Sequence, residues 1–460
     1  MGRLCYNLHT ASQRSTALKY MCKKLCIAIA ILGAPTGLAK PQLERLIEIA
    51  LERSYDSQIR NLDLKIAQSR DDDHLRAFLP TLDLSAGRSF NYNEVYNDGY
   101  EWDERSTNSL NLSMSVPIWS NGDRFNQYEQ QRLQYQIALI QNDELKSSLA
   151  RNIIEAYYNY QVLIQGESIK HTQKKNILWS LEKAQELIEL GTKTIFDTQD
   201  IEIRLGNINR ELLELEHSKS EALSRIKLMI DSKLDIKIDP IDLRKDKPWY
   251  EADFVKIKDE VKSQMNSGKK LKNRSLEILR KNYESSTIDY QQSKKRRWPS
   301  LSASAGYNMD FSPTVNSEID GHGRNQTSSA NIGLQLSWDL WDWFSIERDI
   351  ERSYQGLRKN EIQLTKSESE TIINLGNKLN QFDVNERSLK ISADVLEKSQ
   401  TQYDYAQEMY RLGRITVLEL RVASVDLEEA HISFARTLKN RYLIMADIIR
   451  DSGGNLLPAP

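Results

Sequence analysis

Nine residues, LGTKTIFDT (Leu190 to Thr198), return 222 positions later as LGRITVLEL (Leu412 to Leu420). Each copy reads Leu-Gly, two variable residues, Thr, two apolar residues and an acid. The same offset of 222 relates Ile118-Trp119 to Leu340-Trp341, so the path from there to the Leu-Gly motif has one fixed length in both halves. LPTLDLSAG (Leu79 to Gly87) likewise matches WPSLSASAG (Trp298 to Gly306). A repeat this long and this close to gap-free means one structural unit used twice.

Proline spacing indicates what the unit contains. None occurs between Pro117 and Pro240, nor between Pro313 and Pro458. Glycine is sparse there too, so these runs read as long helices. From about Asn121 to Leu190 the first spans roughly 105 Å at ~1.5 Å per residue. Gly191 and Gly413 then mark tight turns that need a left-handed residue. A turn explains the glycines. It leaves unexplained the shared Thr194 and Thr416 and the acids that follow.

Before each long helix the pattern changes to period two. Leu82, Leu84, Ala86, Phe90 and Tyr92 alternate with Asp83, Ser85, Gly87, Ser89 and Asn91. LNLSMSVPI (Leu110 to Ile118), LSASAGYNMDF (Leu301 to Phe311) and IGLQLSWDL (Ile332 to Leu340) do the same. These are strands with one apolar face. The small polar residues on the other face suit a water-filled lumen, and the apolar face suits lipid. Trp119, Trp298, Trp338 and Trp341, with Trp343, form one aromatic girdle; Phe90, Tyr92 and Phe311 lie toward the other rim. Segments 93–109 and 312–329 read as long polar outer loops. Arg88 falls on the lipid face by parity. The run Lys294-Lys295-Arg296-Arg297 ends a helix and sits where inner-leaflet lipid phosphates would be.

Four strands cannot close in a membrane, where an open edge leaves backbone groups unsatisfied. Two copies would supply eight strands and three would supply twelve. The small lumenal residues favour the larger, ducted barrel.

The N-terminus is of a different kind. Residues 1–40 carry no acid; Met21-Cys22-Lys23-Lys24 precedes an apolar run and then APTGLA. This is an export-signal pattern, with cleavage expected after Ala39 and Met21 as an alternative start. A buried N-terminal helix is the competing reading. Loss of residues 1–39 removes five cations, taking the net charge from −2 to −7, and removes Cys5, Cys22 and Cys26. The mature chain therefore has neither disulfides nor thiolate metal sites, which fits a bacterial envelope. The near-neutral balance shows no nucleic-acid footprint. The six histidines are scattered, and the GHG at 321–323 is not at a strand-to-helix turn. No nucleophile elbow, triad or nucleotide cradle is present, so the sequence points to no enzyme and no cofactor.

The two-fold repeat, the two strand-opening motifs, VPIWSNG leading into the long helix, LGTKTIFDTQD and LGRITVLELRV together resemble the TolC-type outer-membrane efflux ducts. The resemblance covers nearly the whole mature chain. It implies a mainly α protein with a membrane β-barrel: a two-fold repeat of strand pair plus long helical hairpin. Three chains would share a twelve-stranded β-barrel continued by a periplasmic α-barrel. The boundaries that follow are a signal over 1–39, a first repeat over 40–231, an equatorial connector over 232–268, a second repeat over 269–450 and a tail over 451–460. Strands fall at about 80–92, 108–119, 299–311 and 330–341, and hairpin tips at 190–194 and 412–416.

In such a duct the tips (Gly191, Thr192, Thr194, Gly413, Thr416) would dock a periplasmic adaptor. Asp197, Asp200 and Glu419 would narrow and charge the closed mouth, and Lys193 and Arg414 would link helices to hold it shut. Val422 stands where the second repeat commonly has its second acid. The implied partners are two further copies, the adaptor, a proton-driven or ATP-driven inner-membrane pump and outer-membrane lipids. The implied role is a passive exit duct for efflux or type I secretion. The rival is a poreless coiled-coil spacer or adaptor of the envelope, which would have no need of lipid-facing strands. The cargo is not written in the sequence.

Overall fold

A computed structural model describes residues 42–73, 78–96, 100–189, 195–231, 233, 236–267, 271–313 and 324–458. Among them the elements run α1 (Gln42–Arg53), α2 (Tyr55–Asp72), β1 (Thr81–Tyr96), β2 (Tyr100–Trp119), α3 (Asp123–Glu189), α4 (Ile195–Ile230), α5 (Tyr250–Ser267), α6 (Arg274–Lys295), β3 (Ser300–Pro313), β4 (Arg324–Ser337), α7 (Ser345–Arg411) and α8 (Val417–Asp451). The export signal expected over 1–39 lies outside the described residues.

The repeat is visible to the residue in the helices. α3 and α7 are each 67 residues long and begin and end 222 positions apart. At ~1.5 Å per residue each is about 100 Å long. α4 and α8 begin at Ile195 and Val417, again 222 apart. α3 packs on α4, α7 on α8, and α3 also lies against α8. The contact stripe on α8 is Ala435, Leu438, Tyr442, Met445 and Ile449, all buried at alternating spacings of three and four. That spacing keeps one face turned inward over several turns. Facing it, α3 buries Ile153, Ile154, Tyr157 and Tyr158. Among the described residues no helix is long and apolar enough to cross a membrane.

The strands form one antiparallel sheet in the order β1-β2-β3-β4. Its register lines up Leu84, Leu112, Tyr307 and Ala330 on one face, and Ser85, Asn111, Asn308 and Ser329 on the other. The sheet runs further than the hydrophobic pattern suggested. β1 continues to Tyr96 and β2 starts at Tyr100, so most of 93–109, read as a loop, is paired strand. β3 and β4 similarly extend into 312–329 as far as the pair Pro313↔Arg324. Beyond the apolar band both faces carry polar residues, so alternation ceases to mark the strand although pairing continues. At the other end β4 stops at Ser337, which leaves Trp338 and Trp341 past the strand rather than within it.

Arg88 finds its place here. It pairs with Asn108, which pairs with Phe311, one step beyond the last apolar row of Ala86, Leu110 and Met309. Its guanidinium carbon lies 4.7 Å from the centre of the Phe90 ring. The charge marks the upper border of the apolar band instead of lying within it.

Each strand pair joins its long helix through a left-handed dipeptide. Asn121 and Gly122 have φ of 57° and 81°; their repeat counterparts Trp343 and Phe344 have φ of 56° and 60°. For a residue with a Cβ this conformation costs roughly 1–2 kcal/mol. Indole N–H groups brace the joints: Trp119 donates to Asn121 Oδ1 at 3.0 Å and Trp338 donates to the Arg297 carbonyl at 3.1 Å. Asn121 in turn donates to the Trp298 carbonyl at 2.6 Å.

Midway along the helices, the stretch 236–249 lacks regular structure and is tied down by side chains. The Gln161 amide donates to the Asp239 carbonyl at 2.9 Å and accepts from the Ile241 N–H at 3.1 Å, standing in for a strand partner. The Tyr250 hydroxyl donates to the Tyr442 carbonyl at 3.3 Å, and the Tyr442 hydroxyl donates to the Leu243 carbonyl at 3.0 Å. Burial pushes the Tyr157 and Tyr442 phenols up to about 12, and raises those of Tyr158 and Tyr250 as well. Arg441 bridges Glu251 and Glu386, and Arg151 pairs with Asp447 at 2.7 Å.

Candidate functional site: the hairpin mouth

The second hairpin turns through a tightly specified end. The Gly413 N–H donates to the Tyr410 carbonyl and the Arg414 N–H to the Met409 carbonyl, both at 2.9 Å. This is the paired bonding of a Schellman turn, with Gly413 left-handed at φ 68°. Nothing lies within 4 Å of where a Cβ would project, so the conformation rather than space demands glycine.

α8 then starts with a capping box. Thr416 Oγ1 accepts from the Glu419 N–H at 3.3 Å, and Glu419 Oε2 accepts from the Thr416 N–H at 2.7 Å. The backbone N–H of Thr416, then its hydroxyl, hold the Glu419 carboxyl below its ordinary pKa. Ile415, just before the cap, packs on the cluster of Tyr403, Ala406, Tyr410, Leu420 and Ala423. The shared threonine and acid thus have a local purpose: they start the return helix. The first repeat carries the same spacing at Thr194 and Asp197. Gly191, Thr192, Lys193 and Thr194 lie outside the described residues, as does the Asp197 side chain.

The two hairpins meet just above this turn. Ile177, Ala184, Ile201 and Ile208 form the apolar contact of α3 with α4. Val417 packs against both clusters and so joins the hairpins. Polar links flank it. Asn176 donates to the Tyr403 hydroxyl at 2.5 Å. Arg421 stands 3.7 Å from Asp200, with both side chains about half exposed. Beside them, burial and then the Arg421 charge depress the Arg204 guanidinium. Further up, Lys170 reaches Glu211 and Glu428 at 2.5 Å each, and Gln173 donates to Glu428 at 2.6 Å.

This arrangement differs from the one read in the sequence. Asp200 does face the other hairpin, but its partner there is Arg421. Arg414 is exposed and makes no ion pair among the described residues. Arg421 is about one turn into α8, on the side facing α4, whereas Arg414 sits in the turn itself. Glu419 bonds back onto its own helix. Arg421, Asn176, Tyr403 and Arg204 carried no signal in sequence, because their meeting depends on the rotation of helices more than 200 residues apart in the chain. The capping box did carry one, in Thr-x-x-Glu. At the sheet end Trp119, Trp298, Trp338 and Trp341 are all exposed. Among the described residues no cluster of acids, histidines and cysteines could hold a metal.

The profile of the outer membrane efflux protein family matches residues 46–230 and 270–450, one segment for each repeat. No individual curated protein sequence matches the chain. Among solved structures, the outer-membrane channel OprN superposes with a TM-score of 0.72 at 17% identity over 91% of each chain. CusC gives 0.72 at 13% identity, covering 92% of this chain and 96% of its own. The open-state MtrE channel of Neisseria gonorrhoeae gives 0.70 at 14% identity over 90% of each. At these identities the likeness is one of fold.

Proposed function

The chain belongs to the outer membrane efflux protein family, and from that premise we propose that three copies assemble into one gated exit duct. As an efflux channel of the outer membrane that reaches into the periplasm, it is a transport protein and not an enzyme. The observation that carries the trimer is the sheet. It has four strands, an apolar face, and edge strands β1 and β4 each paired on one side only. In lipid such edges must be closed, and the small polar face suits a ring wide enough for water.

In this reading the tips at 190–194 and 412–416 form the periplasmic mouth. Gly191, Thr192, Thr194, Gly413 and Thr416 present the turns to a periplasmic adaptor, which connects the duct to an inner-membrane pump. Asp197 and Asp200 charge the mouth, with Glu419 contributing while it caps its helix. The Asp200–Arg421 pair, rather than Arg414, links the hairpins in the closed state. The duct serves efflux, or type I secretion, according to the pump it meets. The poreless spacer is disfavoured by the same sheet, whose apolar face has no place in a coiled-coil rod.

Native mass measurement on detergent-extracted protein tests the assembly. A trimer is expected; a water-soluble monomer would overturn the duct.

A further inference from the structure

The connector lies against one side of the helical wall. On α3 it is held by Gln161, which bonds Asp239 and Ile241. Asn152, Ala156 and Asn159 stand on the opposite side of the same helix, roughly half a turn around at ~3.6 residues per turn. There they line a cavity of about 550 Å³. α4 adds Ala222, Arg225 and Met229 to its wall, and α8 adds Arg436 and Lys439. Three copies of the connector and α5 inside a closed ring of helices would plug it. In the duct the connector is therefore outermost, and the cavity opens to the bore.

The charges of this cavity are unevenly satisfied. Glu155 is taken by Arg151, and Arg225 stands 2.7 Å from Glu221. Arg436 and Lys439 are left over. Neither makes an ion pair among the described residues, and Lys439 donates only to Asn159 Oδ1, at 3.1 Å. The two cations are three positions apart on one helix, so they are neighbours that repel. Burial pushes the Lys439 ammonium below its ordinary pKa, and the Arg436 charge adds to this against the pull of Glu155. The helix does not require them. The first repeat has Glu214 and His217 at the same positions, 222 earlier on α4. Like charges kept together in a cleft with no carboxylate between them mark a place for an anion.

We propose that this cavity binds organic anions on their way through the duct. Arg436 and Lys439 take the acidic group, and Ala156, Leu163, Ala222 and Met229 take an apolar body. A guanidinium beside an ammonium suits a carboxylate or sulfonate. The volume is that of a small-molecule pocket. Three such sites, one per protomer, stand above the acidic mouth and offset its preference for cations. The inference rests on the duct reading and names a cargo class for it, amphipathic anions.

The test measures current through the full-length protein in planar bilayers, with 1-naphthalenesulfonate as the probe and neutral 1-naphthalenemethanol as its control. The sulfonate is expected to block the wild type at concentrations where the alcohol does not. R436Q changes an exposed side chain and should still form channels. Its half-blocking concentration should rise about tenfold, as for the loss of one charge-assisted contact. K439Q should shift it the same way, and R436K should restore most of the block. Equal block of the wild type and both glutamine variants would overturn the site and leave the duct standing. Equal block by the sulfonate and the alcohol would show an apolar trap without anion recognition, and would overturn it as well. If the wild type passes no current, the duct reading fails and this inference with it.

Discussion

The equator and the mouth of this protein are built from the same four helices, α3, α4, α7 and α8, but they are held together differently. At the equator, Tyr158, Tyr250 and Tyr442 are fully buried, and the Tyr442 hydroxyl and the Gln161 amide satisfy the connector's backbone. Arg441 and its two carboxylate partners are largely shielded from water. At the mouth, two small apolar clusters share Val417, and the Asp200–Arg421 pair is half exposed. A helix pair anchored hard at one level and lightly at another pivots about the first. On the duct proposed above, the equator is the fixed bearing and the hairpin ends are the part that moves.

The comparison breaks most readily at Tyr442. Tyr442→Ala removes a buried ring and the bond to Leu243, and should cost about 3–5 kcal/mol. The check is the melting temperature of the detergent-solubilised protein. A loss comparable to that of a surface change would mean that the equator is not the anchor.

A smaller effect sharpens the other side. Thr416→Ala deletes the helix cap and should cost about 1 kcal/mol, read as faster amide exchange over the first turns of α8, with exchange at the equator unchanged. The effect depends on pH with a definite sign. Glu419 is held below its ordinary pKa. Its half of the box is therefore fully present above the usual glutamate value of about 4.3 and is lost as pH falls through the lower folded value. The difference between wild type and variant should shrink in that acid window. Spread of the exchange to the equator would show that the two regions are one cooperative unit.

The smallest change in stability belongs to Asp200→Asn. An ion pair this exposed contributes at most ~1 kcal/mol, so the melting temperature should barely move. Conductance in planar bilayers should nevertheless rise, because the link crosses between hairpins at the movable end. Unchanged conductance would place the restraint elsewhere, with Lys170 and Glu428 the next link along.

Much of this was readable in the chain. The offset of 222 implied that α3 and α7 are equal in length, as they are at 67 residues each, because a repeat carries its boundaries with it. Strand ends were less legible. Asn93 and Glu94 look like loop residues, yet they pair with Asp103 and Trp102, since above an apolar band a strand no longer needs an apolar face. At the hairpin ends, Asp200 stood out in the sequence as an acid of the repeat motif, and its partner Arg421 did not. Arg414 and Arg421 are equally charged, and the helix start between them decides which one reaches α4, since Arg414 stays in the turn while Arg421 lies on α8 beside Asp200. The cost paid at Trp343 and Phe344 is invisible in sequence, because φ is not a property of a residue type.

The strand order has one more consequence, for the path by which the chain folds. β1 and β2 are near neighbours in sequence, as are β3 and β4, so each pair can close early and locally. β2 and β3 lie about 180 residues apart, with α3 to α6 between them, and a contact of that separation forms late. Closing so long a loop is entropically costly unless the intervening chain is already ordered. The helical body must therefore serve as the clamp that brings two prefolded ribbons edge to edge. A slow step that depends on the equatorial anchor would then precede any commitment to the bilayer.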